Sequence, residues 1–246
     1  RQAVKECSSA GRLRIQLVTD EPEAFSGFMA HYGHFSNVRN YIAIVAQKDG
    51  DYEERAGYYG EKLVLLAQQL GLNTCWVALT YRKSKCPAVV NPGEKLVCVI
   101  ALGYGVSRGK PHKCRPLEEV CNLSADTPAW FRAGMDAVML APTAVNQQHF
   151  YFRQDGGTVE ARATGGPHCK TDLGIAKYHF ELGAGVRNFR WADAAQPETE
   201  GSAQSEAEAE AAAKKHFNCT GAHQMGNQWM PCATHGQTGG NAQHNH

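Results

Sequence analysis

The sequence predicts an α+β fold made of two fused copies of one α/β half, with mixed or antiparallel sheets flanked by helices, and three observations carry that prediction. Short apolar runs of strand length are closed by turn residues, as at Tyr41 to Ala46 before Lys48-Asp49-Gly50. Between residues 52 and 70, Tyr59, Leu63, Leu66, Ala67 and Leu70 recur at helical spacing, and Gly71 follows as a stop. The same succession then returns in shorter form after Phe131.

Taken in order, the segment Arg1 to Gly11 offers neither a clear cap nor a strand pattern, and no element is expected there; because the chain opens on Arg1, the reading is that its natural start lies upstream. Leu13 to Val18 alternates apolar residues with Arg14 and Gln16 and reads as a strand. A Gly-rich aromatic loop, Phe25 to Asn37, leads to the strand at Tyr41, and the helix Tyr52 to Leu70 follows. Thr74 to Leu79 and Leu96 to Leu102 read as buried strands, the second set between Pro92-Gly93 and Gly103-Tyr104-Gly105. The second half gives a helix from Phe131 to Leu140, a loop Ala141 to Gln148, a strand His149 to Arg153, a Gly-rich hairpin and a helix near Asp172 to Leu182. In this duplication Tyr41 to Val45 is matched with His149 to Arg153, and Ala56 to Gly60 with Asp172 to Ala176. The expected boundaries are a first half over 1–121, a second over 122–192, and a low-complexity tail over 193–246. That tail has too few apolar residues to offset its chain entropy, although Glu206 to Lys215 has helix-forming Ala and Glu content.

Composition narrows the function. The 25 basic and 24 acidic side chains leave a formal charge of +1, no footprint for a nucleic-acid backbone or an anionic membrane. No apolar run approaches the roughly 20 residues of a membrane span, and no signal-peptide pattern opens the chain, so a cytoplasmic protein acting on small molecules is expected. Nine cysteines, an odd number scattered through apolar and mixed segments, read mostly as small core residues rather than as a disulfide framework.

The segment Gly134 to Phe150 is the most informative. It joins an apolar helix to a strand through a polar loop: Pro142 ends the helix, Thr143 and Ala144 offer a hydroxyl and accessible backbone, and Asn146 and Gln147 offer amide donors and acceptors. Such a loop suits a flat heterocycle with alternating donors and acceptors on its edge. A capped helix-to-strand turn whose amides satisfy their own backbone is the equally open structural reading. Lys113 and Arg115, on alternate positions of an extended segment, would point to one side and clamp a dianion; an isolated Lys-x-Arg is more often a solvated basic loop.

Three segments carry a resemblance to the FMN-dependent nitroreductase family. The loop from Ala141-Pro142-Thr143 to Asn146 resembles the family's Ala-Pro-Ser/Thr-x-x-Asn-x-Gln motif. Gly71-Leu72-Asn73-Thr74-Cys75-Trp76-Val77-Ala78, after the helix containing Ala56-Gly57-Tyr58, is similar to its Gly-Leu-Gly-Thr-Cys-Trp segment, with Asn73 and Ala78 where glycine is usual. Leu102-Gly103-Tyr104-Gly105 followed by Lys113-Cys114-Arg115 resembles its phosphate-binding stretch. The match spans about Leu13 to Trp191, and the fused halves, with Asp172 to Gly185, resemble most the single-chain, pseudo-dimeric subfamily; the family's opening Arg-Arg-Ser-x-Arg is not found in the chain.

The resemblance implies a nitroreductase-like fold and an oxidoreductase in which FMN takes a hydride from NADH or NADPH and passes electrons to a nitroaromatic, a quinone or a similar acceptor. It assigns Lys113 and Arg115 to the phosphate, Pro142, Thr143, Ala144 and Asn146 to the ring and its chain, and Trp76, Val77 and Ala78 to the wall beside the flavin. No side chain is expected to serve as a catalytic acid or base, and the chain is expected to act as a monomeric pseudo-dimer or as a homodimer. Phe28, Tyr32, His34 and Phe35 are expected to wall a flat acceptor. The alternative is a flavin-binding or degenerate member without turnover. No metal is expected: His216, Cys219, His223, Cys232 and His235 match no tight zinc spacing. His168 and Cys169 lack a third orienting group for nucleophilic catalysis.

Overall fold

The computed structural model describes residues 1–28, 35–106 and 109–192, together with the backbone of 222–225 and 228–231. Residues Arg1–Ala192 form one compact unit and Asp193–His246 a second.

The first unit opens with helix α1 (Gln2–Gly11), where no element was expected from the sequence. Its composition is polar, and what makes it a helix is tertiary: Ala3, Val4 and Cys7, one helical turn apart, pack against the same cluster as Leu13, Ile15 and Ile44. Strands β1 (Leu13–Val18), β2 (Tyr41–Gln47), β3 (Asn73–Val77) and β4 (Glu94–Gly103) form an antiparallel sheet in the order β1-β2-β4-β3. Central β2 is buried on both faces, which is why its sequence is a continuous apolar run: Ile42, Ile44 and Ala46 face the helices, while Tyr41, Ala43 and Val45 face Phe25 and Tyr81. Against it β4 carries a bulge: Ile44 faces Cys98 and Val45 faces Leu96, leaving Val97 as the extra residue. Val97 and Cys98 therefore both turn toward the helix side.

Helix α2 (Tyr52–Gln69) crosses this sheet and ends beside Gly71, at φ +76°. The second half contributes helix α3 (Ala129–Val138), strands β5 (Phe150–Asp155) and β6 (Thr158–Ala163), helix α4 (Cys169–Ala184) and the short strand β7 (Arg190–Trp191). β5 and β6 pair antiparallel across the turn Gly156-Gly157, and β7 pairs parallel with β6, so this sheet is mixed. Neither β6 nor β7 was named as a strand from the sequence. Phe131, Met135, Phe150, Phe152 and Phe180 fill the core beneath it.

The helices meet backbone to backbone. A Cβ on Gly57 would overlap the Thr171 carbonyl, and one on Gly174 would overlap the Glu54 carbonyl. Beneath this crossing, Glu61 accepts from His179 Nε2 (2.9 Å) and from Trp76 Nε1 (2.9 Å), while His179 Nδ1 lies 3.1 Å from the Ala137 carbonyl. Both ring nitrogens thus face acceptors.

Among the described cysteines, all free, Cys7, Cys98 and Cys121 are buried as expected, whereas Cys75 and Cys114 are exposed. Within the second unit, Ala222–Met225 and Gln228–Pro231 form an antiparallel pair, a departure from a structureless tail. The helix considered at Glu206 to Lys215 and four of the five zinc-type residues lie outside the described residues; only the backbone of His223 is described. Among the described residues no helix is long and apolar enough to cross a membrane, and no group of three metal-type ligands forms.

Candidate functional site

A cavity of about 300 Å³ lies where the end of β3 and the bulge of β4 meet the loop after α3 and the start of α4. Its walls include Trp76, Val77, Ala78 and Leu79 from the first half and Pro142, Thr143, Ala144 and Val145 from the second, with His168, Thr171, Asp172 and Ile175 from the start of α4. The bulge supplies Val97 and Cys98 together, which a regular strand would have sent to opposite faces. Burial pushes the Cys98 thiol up to about 12, so it meets the cavity as a neutral, apolar group.

Trp76 is fixed from behind: its indole nitrogen donates to Glu61, and its ring leaves no room for a Cβ on Gly60. On the opposite wall the loop contains an irregular turn, Ala144–Asn146, and Val145 and Asn146 within it and Gln148 just after it adopt positive φ (46°, 56° and 49°). A β-branched residue in that region is a strained one, and such conformations cost on the order of 1–3 kcal/mol each. They persist because the loop is tied at several points. Thr143 Oγ1 accepts from the Gln148 amide (3.1 Å), and Asp172 accepts from the Ala144 amide (3.0 Å) and from Gln147 Nε2 (2.7 Å).

Asp172 is 3% exposed, and burial raises its carboxyl above the usual value against the lowering effect of those two bonds and of His168 and His149. Beside it Thr171 is 7% exposed, and its hydroxyl has no hydrogen-bond partner among the described residues, a buried polar group on the cavity wall left to be satisfied.

Six of the nine cofactor-binding residues named from the sequence, Trp76, Val77, Ala78, Pro142, Thr143 and Ala144, line this one cavity. Lys113, Arg115 and Asn146 do not. The Lys113 carbonyl accepts from Asn146 Nδ2 (2.9 Å) and from Gln148 Nε2 (2.8 Å), so the stretch braces the loop through its backbone. The Arg115 guanidinium pairs with Glu119 one helical turn on (2.8 Å). Of the expected acceptor wall, Phe35 packs edge-on against Phe25 at 5.2 Å and Phe28 is exposed, neither of them lining the cavity, while Tyr32 and His34 lie outside the described residues. Sequence reading missed Asp172, Thr171, Val97 and Cys98 as site residues; the first two had a readable signal, a Thr-Asp pair in the first turn of a helix after Gly-Gly-Pro, and the last two had none.

A family model described as "Putative TM nitroreductase" matches residues 1–184, and another, described as "Protein of unknown function", matches residues 204–236. Among solved structures, a putative nitroreductase from Thermotoga maritima is similar at 22% identity over 79% of this chain and 70% of its own, with a TM-score of 0.49. An FMN-dependent nitroreductase from Clostridium difficile is similar at 17% identity over 46% of this chain and 80% of its own (TM-score 0.35). A putative NADH dehydrogenase/NAD(P)H nitroreductase from Bacteroides thetaiotaomicron is also similar at 17% identity, over 49% and 83% (TM-score 0.37). No curated protein matches at a significant level. With well over half its length matched by the first model, and with that family's loop and strand segments facing each other across one cavity, the chain belongs to the nitroreductase family.

Proposed function

We propose that the chain is an FMN-dependent oxidoreductase that takes electrons from NADH or NADPH and passes them to a nitroaromatic, a quinone or a similar small acceptor. The observation that carries this reading is that Trp76 to Ala78 and Pro142 to Ala144, far apart in sequence, enclose one cavity. At about 300 Å³ it is at the low end of ligand pockets, roughly 300–1,000 Å³, and its mostly apolar walls suit a planar ring. The Thr171 hydroxyl, unpartnered among the described residues, is a polar group available to the ring's edge, whereas the Ala144 and Asn146 amides are already held by Asp172 and by the Thr143 carbonyl. FMN, when bound, would supply the electron transfer; Trp76, Val97, Cys98 and Ile175 would exclude water from its face, and Pro142 to Ala144 would orient it.

The pairing of Arg115 with Glu119 favours a second reading, a member that holds flavin weakly or without turnover. The two separate in the visible spectrum of the purified chain, followed by NADH and NADPH under nitrogen. Flavin bands that bleach support the enzyme, flavin bands that persist support the second reading, and a colourless protein that takes up no FMN overturns both.

We further propose that the two halves are copies of one unit. Gly57 meets Thr171 as Gly174 meets Glu54, a reciprocal contact with one offset of 117 residues, 171 against 54 and 174 against 57. The same offset sets Thr158, the start of β6, against Tyr41, the start of β2. β2 thus corresponds to β6, and the expected match of Tyr41 to Val45 with His149 to Arg153 is one strand out. On this reading 1–121 and 122–192 are the two halves, the chain is a pseudo-dimer by itself, and 193–246 is an appendage.

A further inference from the structure

The loop that walls the cavity is conformationally costly, and two of its anchors converge on one side chain. Asp172 Oδ1 accepts the Ala144 amide at 3.0 Å, and Oδ2 accepts Gln147 Nε2 at 2.7 Å. The same Nε2 also donates to the Pro167 carbonyl (2.7 Å), so loop, preceding turn and helix are stitched at one point. The two anchored residues bracket Val145 and Asn146, both at positive φ. Val145 is 91% exposed and still lines the cavity, so the strain does not serve to bury it.

We propose that Asp172 is the positioning residue of this cavity, its carboxylate clamping the Thr143 to Gln148 loop onto the first turn of α4 and so setting the wall on which the ligand rests. A buried carboxylate is an expensive anchor where an amide would cost less to desolvate, and this one stands on the wall of a cavity. The ionisable groups facing it are His168, at the start of α4, and His149, just before β5; the neutral Cys98 thiol shares the cavity. In the first half the equivalent position, on the 117-residue offset, is Arg55, which donates to the Gly11 carbonyl at 2.8 Å and to Asp49. There a cation ties to the last residue of the preceding helix, where Asp172 ties instead to the loop that follows α3, and no cavity loop follows.

This inference rests on the flavin reading, so its test uses one readout that needs flavin and one that does not. Riboflavin, which carries the ring without the phosphate, is titrated into the full chain for wild type and Asp172→Asn, and amide hydrogen exchange is followed in both. The variant keeps one acceptor but sets its amide against the Gln147 amide or the Ala144 N–H. The expected result is riboflavin binding weakened about tenfold, the equivalent of one lost charge-assisted bond, with faster exchange at Ala144 and unchanged exchange in α2. In wild type the affinity falls as acid protonates Asp172; in Asp172→Asn that dependence is gone. Unchanged exchange at Ala144 overturns the clamp whatever flavin does. Faster exchange with unchanged affinity overturns its role in positioning the ligand. An acid dependence that survives in the variant belongs to His149 or His168 and overturns it as well. A wild type that takes up neither riboflavin nor FMN overturns the flavin reading, and the exchange at Ala144 then decides the clamp alone.

Discussion

The two halves share a helix, two paired strands and a second helix, and they spend their connecting chain in opposite places. In the first half α1 passes to β1 through Arg12 alone, whereas in the second α3 passes to β5 through the eleven residues Met139 to His149. After the second helix the order reverses: α2 is followed by the long β3-β4 hairpin, α4 only by the two residues of β7. The cavity forms where both long pieces meet, β3-β4 from one half and the Met139 to His149 loop from the other. The related position across the α2–α4 crossing has neither. On the two-copy reading Glu54, Arg55 and Tyr58 there correspond to Thr171, Asp172 and Ile175 of the cavity, around a hollow of about 220 Å³. Several of its polar groups pair with one another: Lys177 pairs with Glu54 (2.7 Å), and Glu181 accepts from Trp191 (2.7 Å) and from Tyr58, whose phenol burial and that bond push well up. Connection length, rather than the shared core, decides where a site can exist.

The comparison can be broken first at the bond that crosses it. Glu61 belongs to the first half and His179 to the second, so Glu61→Ala strands a buried imidazole and the Trp76 indole and should cost roughly 3–5 kcal/mol of stability in urea unfolding. A Glu61→Leu, His179→Leu double variant should recover part of that; if Glu61→Ala costs under about 1 kcal/mol, the pair is not the keystone between halves. Next come the reciprocal glycines. Gly57→Ala and Gly174→Ala each force a methyl into the opposing backbone and should each lose about 1–3 kcal/mol. Similar losses sharpen the two-copy reading, and a large loss at one alone argues against a symmetric crossing. Trp191→Phe removes one hydrogen bond to the Glu181 carboxylate and should cost about 1.5 kcal/mol with no change in flavin binding, since Trp191 lies at the closed position. On the same logic flavin should saturate at one per chain, and a second equivalent bound would show that the closed position opens.

Asp172 also makes a prediction about pH. Its folded-state carboxyl is raised, so the folded protein holds that proton more tightly than the unfolded chain does. Stability from this group is therefore greatest in acid, falls as pH rises from the ordinary carboxylate value through the raised one, and stays lower above it. The stability–pH curve of Asp172→Asn, measured by denaturant unfolding, should lack that decline.

What the sequence determined by itself is what local periodicity encodes. The strands at Leu13 and Tyr41, the helix from Tyr52 and the helix around Asp172 lie within a few residues of where apolar spacing and turn residues put them. The motif segments around Trp76 and Pro142 were legible because their residue types are unusual for plain turns. Tertiary structure decided the rest, since it depends on partners distant in sequence. α1 is a helix because a sheet receives Ala3, Val4 and Cys7. Val97 and Cys98 share a face because β2 imposes a bulge. Arg115 pairs at the surface with Glu119, a partner that its alternation with Lys113 did not announce. Asp172 reads in sequence as an ordinary acidic residue in a first helical turn, and it becomes the anchor of the cavity only because the fold brings Ala144 and Gln147, nearly thirty residues earlier, within hydrogen-bonding distance of a carboxylate that has lost its water.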